Sequence, residues 1–185
     1  MMPKGKEFYN YHYNASNRYD VHYTKSRYYK LWVRVIGMLE KIGSKNIMSL
    51  GCGTGQFEEM LCDNGYDVIG VDFSDVAIEK AMGKSNAEFL CLDIVKAFNM
   101  YKDLIKGTVV ILETLEHIDD LELLIQFKQG TNIVFMVPSK EEASHLRVFK
   151  TVDDILDRYG VVMDIDRASI EVHSDRFFIC RGVIK

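Results

Sequence analysis

Residues 50 to 61, LGCGTGQFEEML, constrain this chain more than any other stretch. Gly51, Gly53 and Gly55 take alternate positions between an apolar run, Asn46 to Leu50, and an amphipathic run from Gln56 to Asn64. A strand there must turn sharply into a helix, and the missing side chains let the backbone approach another group closely. A glycine loop between strand and helix is the context of a nucleotide-type site. The pattern is GxGxG. The third glycine of a dinucleotide GxGxxG would fall on Gln56, which disfavours a pyrophosphate on the helix and, with it, a nicotinamide-dependent oxidoreductase.

The rest of the body repeats the alternation. Short apolar runs at Asp67 to Val71, Glu88 to Cys91, Thr108 to Leu112 and Asn132 to Val137 are separated by amphipathic stretches. These include Ser74 to Met82, a loosely helical Val95 to Ile105 and a short helix after Asp119. Continuous apolar strands alternating with helices predict an α/β fold with a doubly wound, mostly parallel sheet buried on both faces. Thr151 caps a last helix that stops at Gly160, and Val161 to Ile165 and Phe177 to Ile184 then predict two antiparallel strands. At 185 residues and 48% hydrophobic, without a Pro/Ser-rich linker, the chain reads as one domain, 1–185.

The charge is uneven. Residues 1 to 46 carry nine Lys or Arg against three acids, +6, leaving −10 for the rest of a chain whose net charge is −4. The same segment holds seven of the ten tyrosines and Trp32. Residues 1–45 therefore read as a basic, aromatic, helical cap on an acidic body, 46–185. Ser26 is the expected cap of a helix carrying Trp32, Val35, Ile36, Leu39 and Ile42, with Gly43 as its stop. Two uses of the cap are open: a cover with solvated charges, or a lid whose aromatic walls and cations suit an anionic substrate. Cys52, Cys62, Cys91 and Cys180 are scattered, with neither zinc-ribbon nor disulfide spacing, and no apolar run reaches the roughly 18 residues of a membrane span. A reducing, cytoplasmic setting without membrane contact is expected.

Doubly wound sheets bind ligands outside the carboxyl ends of their strands, so the residues just after each strand carry the functional information. Asp72 ends the second strand, seventeen positions after Gly55, where an acid can accept from both ribose hydroxyls of an adenosine. Asp93 ends the third, where it can accept from an adenine amino group with Phe73 or Ile94 against the ring, or simply form a turn. After the fourth strand, Glu113, Glu116 and His117 would share one face if ETLEH were a helical turn. Two carboxylates and an imidazole there could deprotonate a nucleophile, hold a divalent cation, or merely build the turn. His145 and Arg147 lie in a loop over the same strand ends. His12, His22 and His173 read as solvated.

The segments IMSLGCGTGQF, VIGVDFS, FLCLDI, VVILETLEHI and NIVFMVPS resemble, in order and over residues 45 to 185, the class I S-adenosylmethionine-dependent methyltransferases. The resemblance implies a seven-stranded Rossmann-like sheet with a reversed last strand. It also implies S-adenosyl-L-methionine, leaving as S-adenosyl-L-homocysteine, over Gly51, Cys52, Gly53, Gly55, Gln56, Asp72, Phe73, Asp93, Ile94 and Glu113. The loop would then meet the methionyl end, which bears a carboxylate and an ammonium but no phosphate. The ExxEH turn resembles that of ubiquinone-pathway O-methyltransferases and small-RNA 2′-O-methyltransferases, where a later histidine helps hold a metal. Glu113, Glu116, His117 and His145 are the corresponding positions here, and no metal is committed to them.

The expected function is methyl transfer to an O or N nucleophile of a small, anionic molecule, with Glu116, His117 and His145 catalytic. RNA methylation guided by the basic cap, and a non-catalytic cofactor-binding module, are the rival readings.

Overall fold

The computed structural model describes residues 3–173 and 177–185, with the side chains of Ser169 and His173 set aside. Helix α1 spans Lys6–Ala15 and α2 Tyr29–Ile42, joined by 3-10 turns at Asn17–Tyr19 and Tyr23–Lys25. Then follow β1 (Asn46–Leu50), α3 (Gln56–Asp63), β2 (Asp67–Asp72), α4 (Asp75–Ala81) and β3 (Glu88–Cys91). The chain continues through α5 (Phe98–Tyr101), β4 (Thr108–Leu112), α6 (Asp120–Leu124), β5 (Asn132–Pro138) and α7 (Val152–Tyr159). It closes with β6 (Met163–Asp164), β7 (Ile170–His173) and β8 (Phe177–Ile184).

The strands order as β3-β2-β1-β4-β5-β8-β6, with β7 also pairing β8. Strands β1 to β5 are parallel; β8 runs antiparallel to β5 and to β6 and β7. The eighth strand exceeds the seven expected, and the register explains it. Met163 and Asp164 face Ile184 and Val183, while Ile170 to His173 face Cys180 back to Phe177, so β6 and β7 are successive pieces of one edge. Between them a 3-10 turn at Arg167–Ser169, started by the Asp166 side chain accepting from the Ala168 amide, lifts the chain off the ladder.

Period-two burial builds both faces. Val109, Ile111, Ile133, Phe135 and Val137 pack with Phe98, Tyr101, Leu123, Leu124, Ile155 and Tyr159 on one side. Val110, Val134 and Met136 pack with α2 and α3 on the other. Helix α2 buries Leu31, Trp32, Val35, Ile36, Met38 and Leu39, each contributing about 1.5–3 kcal/mol. It ends as expected on Gly43 in the left-handed region (φ 80°). It does not begin on Ser26. The flanking residue is Tyr28, with no side-chain cap, and the Ser26 hydroxyl instead accepts from the Tyr28 amide at 3.3 Å within the preceding turn. Thr151 and Asp154 form a reciprocal capping box on α7.

Helix α1 is attached differently. None of its ten residues is fully buried. Asn10 bonds Ser74 and Asp75, Lys6 pairs with Asp75 at 3.1 Å, and Lys80 donates to the Tyr13 carbonyl at 2.7 Å. No helix among the described residues is long and apolar enough to cross a membrane.

Candidate active site

Gly51, Gly53 and Gly55 all have positive φ, between 55° and 76°. A Cβ on Gly51 would lie 2.1 Å from the Thr114 hydroxyl, and one on Gly55 2.8 Å from the Ala81 Cβ. Those two glycines therefore serve close packing within the protein. Gly53 faces the Tyr13 hydroxyl, which would lie 3.0 Å from its Cβ.

Two cavities open at the strand ends on either side of Tyr9 and Tyr13. The smaller, 370 Å³, is walled by Asp72, Phe73, Asp93, Ile94, Thr114 and Glu122 among others. The larger, 490 Å³, is walled by Cys52, Gly53, Gln56, Glu58, Tyr28 and His145 among others. Gly51, Glu113 and His117 border both. Of the residues singled out in the sequence for the cofactor, only Gly55 borders neither.

Asp72 is buried, and its two oxygens accept from the Gly53 amide at 3.0 Å and the Ser74 amide at 2.8 Å. Each keeps a lone pair for a further donor. Asp93 closes its own turn, accepting from the Val95 and Lys96 amides at 3.1 and 3.0 Å, while remaining on the cavity wall. Gln56 is committed elsewhere, donating to the Val21 carbonyl at 2.5 Å.

The turn after β4 is not one helical face. Glu113 is left-handed (φ 53°), and the 3-10 turn begins only at Leu115. Glu113 still reaches the site, accepting from the Tyr28 hydroxyl at 3.3 Å. The loop between β5 and α7 is sewn onto this turn. The Leu146 amide donates to the Glu116 carbonyl at 2.7 Å, and Arg147 donates to the carbonyls of Leu115 and Ile118. Arg147 also pairs with the fully buried Asp120 at 3.3 Å, as Arg158 does at 2.6 Å. Arg147 is thus a clamp on the turn, a role its place in an irregular loop does not reveal.

The clamp brings three groups together. One ligand atom each from Glu116, His117 and His145 lies within 4.8 Å of the others. His117 Nδ1 lies 3.1 Å from the Ser144 carbonyl and His145 Nδ1 2.9 Å from the Lys140 carbonyl. A carbonyl only accepts, so both Nδ1 atoms carry a proton, and in the neutral ring of His117 the lone pair is left on Nε2. His117 Nε2 stands 3.6 Å from Glu116 Oε1. Both Glu116 oxygens and Glu113 Oε1 are buried without a hydrogen-bond partner among the described residues. Burial pushes both carboxyls up, with Glu113 also raising Glu116; burial pulls the His117 imidazole down. His12 and His22 are exposed, as expected.

Sequence reasoning did not single out Tyr9, whose hydroxyl is buried between the cavities without a hydrogen-bond partner among the described residues, 5.9 Å from His117 ring to ring. Nor did it find Glu58, which lies against Ser49. Their alternating aromatic and helical-acid contexts carry no signal of where the chain folds them.

A family model for a methyltransferase domain matches residues 22–170. The chain belongs to that family. Its sheet is that of the class I S-adenosylmethionine-dependent methyltransferases. Over 86 residues, 44% of the chain, it is 35% identical to a ubiquinone biosynthesis O-methyltransferase of Pelagibacter ubique. The match spans 36% of that relative's length. A crystal structure from Pyrococcus horikoshii OT3 superposes with a TM-score of 0.71 at 18% identity, covering 98% of this methyltransferase and all of that chain. Magnesium protoporphyrin IX methyltransferase of Synechocystis PCC 6803, crystallised with bound S-adenosylhomocysteine, gives 0.62 at 17% identity, covering 84% and 82%. The sheet expected from the sequence is the one these proteins share.

Proposed function

We propose that this methyltransferase moves the methyl group of S-adenosylmethionine to an oxygen or nitrogen of a small, anionic molecule. The adenosine lies in the smaller cavity, with its ribose on Asp72 and its base beside Asp93, Phe73 and Ile94. The methionyl end passes over Gly51 and Gly53, with Glu113 nearby, and the acceptor enters the larger cavity. The observation that carries this reading is the convergence of Glu116, His117 and His145, with His117 bordering both cavities and His145 the larger. Held neutral, His117 can take the acceptor's proton through Nε2 as the nucleophile advances in line on the methyl group. The Ser144 carbonyl orients the ring, Glu116 Oε1, 3.6 Å from Nε2, faces the imidazolium that forms, and His145 closes the site.

Two arginines support an anionic acceptor. Arg18 and Arg27 border the larger cavity, stacked on the Tyr19 and Tyr28 rings at 4.5 and 4.6 Å. The named relative, an O-methyltransferase of ubiquinone biosynthesis, supports a small acceptor and oxygen as its nucleophile. Four free thiols suit a cytoplasmic setting.

The unpartnered Glu116 oxygens favour one second reading, a divalent cation. The donor set fits: a buried carboxylate and two imidazoles whose Nδ1 atoms are fixed by carbonyls behind them. Glu116, His117 and His145 would hold it, and when bound it would lower the pKa of an acceptor hydroxyl.

Methyl-labelled S-adenosylmethionine incubated with cell extract, with and without a chelator, tests both. Label in the small-molecule fraction is expected, and its loss with chelator would establish the cation. Label on nuclease-sensitive polymer would overturn the small acceptor in favour of RNA.

A further inference from the structure

Glu58 is a carboxyl that the transfer chemistry does not use. It projects from the first turn of α3 and is 1% exposed. Ser49 Oγ on β1 donates to its Oε1 at 2.5 Å, and its Oε2 has no hydrogen-bond partner among the described residues. Glu58 borders the larger cavity next to Trp32 and Phe57, both nearly buried. A buried carboxylate with one oxygen unanswered is costly unless a cation meets it. No cation among the described residues reaches Oε2. Lys84 spends its ammonium on the Tyr19 and Thr54 carbonyls at 3.2 and 2.8 Å, and Arg18 and Arg27 lie over their tyrosines.

We propose that Glu58 is the counter-ion of the cofactor's α-ammonium group, with Ser49 holding one carboxylate oxygen so that the other faces the ligand. The inference rests on the reading that the methionyl end lies over the glycine loop. An ammonium fits this corner because it is a compact cation with three donors, able to satisfy Oε2 directly. The sulfonium does not, since its methyl group must reach His117 across the cavity. Glu58 is a positioning residue: by fixing the amino-acid end it sets where the methyl group points.

Burial pushes the Glu58 carboxyl up to about 7, with the Ser49 hydroxyl opposing. The charged groups around it are Asp72 at the end of β2, the Cys52 thiol in the loop and Lys84 beyond α4. Ammonium binding selects the ionised form, so affinity for S-adenosylhomocysteine rises as pH climbs through that value. A deaminated S-adenosylhomocysteine keeps the ribose and carboxylate contacts, so any titration of Asp72 enters both curves and cancels in their ratio.

Calorimetry on the full chain, wild type and Glu58→Gln, would compare S-adenosylhomocysteine, its deaminated analogue and 5′-methylthioadenosine. The variant keeps the Ser49 contact and the side-chain volume. It is expected to weaken S-adenosylhomocysteine about ten- to hundredfold and leave the deaminated analogue unchanged. An equal loss for both ligands, or none for either, overturns the role of Glu58. A wild type that binds 5′-methylthioadenosine as tightly as S-adenosylhomocysteine overturns the placement of the methionyl end, and the inference with it. If the variant does not fold, the wild-type ratio of the two affinities between pH 6 and 8 decides: a rise supports the pairing, a flat line overturns it.

Discussion

Helix α1 and the turn Leu115–His117 face each other across the same cavities, yet they are held by opposite means. The turn rests on the end of a central strand and is tied to the β5–α7 loop through the Glu116 carbonyl. It is clamped by an arginine whose partner, Asp120, is fully buried. Helix α1 buries no residue completely and is attached by polar contacts that reach across exposed edges of α4. Exposed ion pairs contribute about 0–1 kcal/mol each. On the proposed mechanism, the groups that act on the acceptor sit on the tightly held side and the aromatic rings of the cap on the loosely held one.

The largest expected consequence is at the turn. His117→Ala should lower turnover about 10²- to 10⁴-fold, the usual worth of a positioned general base, with its melting temperature little changed. Unchanged turnover in both His117→Ala and Glu116→Ala would remove catalysis from this wall. Next, Asp120→Ala leaves the Arg147 and Arg158 charges without their carboxylate and should destabilise the fold by about 3–5 kcal/mol, read by denaturant titration. A loss below about 1 kcal/mol would mean the clamp is as loosely built as the cap.

A pH effect of similar size separates ligand-binding strain from scaffold stability. Glu58 titrates near 7 in the fold against its usual 4.5, so the folded state holds the extra proton. Its contribution is fully present below 4.5 and is lost as pH rises through 7, about 3 kcal/mol at roughly 1.4 kcal/mol per pH unit. Ligand-free Glu58→Gln should therefore exceed wild type in stability at pH 8 and not at pH 4.5. Saturating S-adenosylhomocysteine should narrow the difference at pH 8. The smallest effect belongs to the cap. Removing residues 1–15 should lower the melting temperature by less than about 5 °C while weakening cofactor binding. A collapse of the fold would show that α1 is part of the scaffold.

How far the sequence could be read follows the same division. Strands β1, β3, β4 and β8 begin and end at the expected residues, and in β1 and β4 this is because a strand buried on both faces is a nearly continuous apolar run. The glycine loop, Asp72 and the ExxEH turn were legible because they sit at fixed offsets from those strands. Glu113 falls off the helical face because its backbone is left-handed, a conformation uncommon outside glycine that the residue type does not signal. The Ser49–Glu58 contact was hidden too: an acid in the first turn of a helix reads as a solvated, dipole-favoured residue until the strand beneath it is known. Tyr9 and Tyr13 were counted as part of an aromatic cap, but their position between two cavities depends on how α1 crosses the loop.

The outermost edge of the sheet has a bearing on how copies of this chain meet in a crowded solution. A continuous edge strand offers an unbroken row of free amides and carbonyls to any other strand that drifts past. Here that row is cut into a two-residue and a four-residue piece by the turn at Arg167–Ser169. A second copy meets two short, offset templates in place of one long one, which disfavours edge-to-edge extension of the sheet.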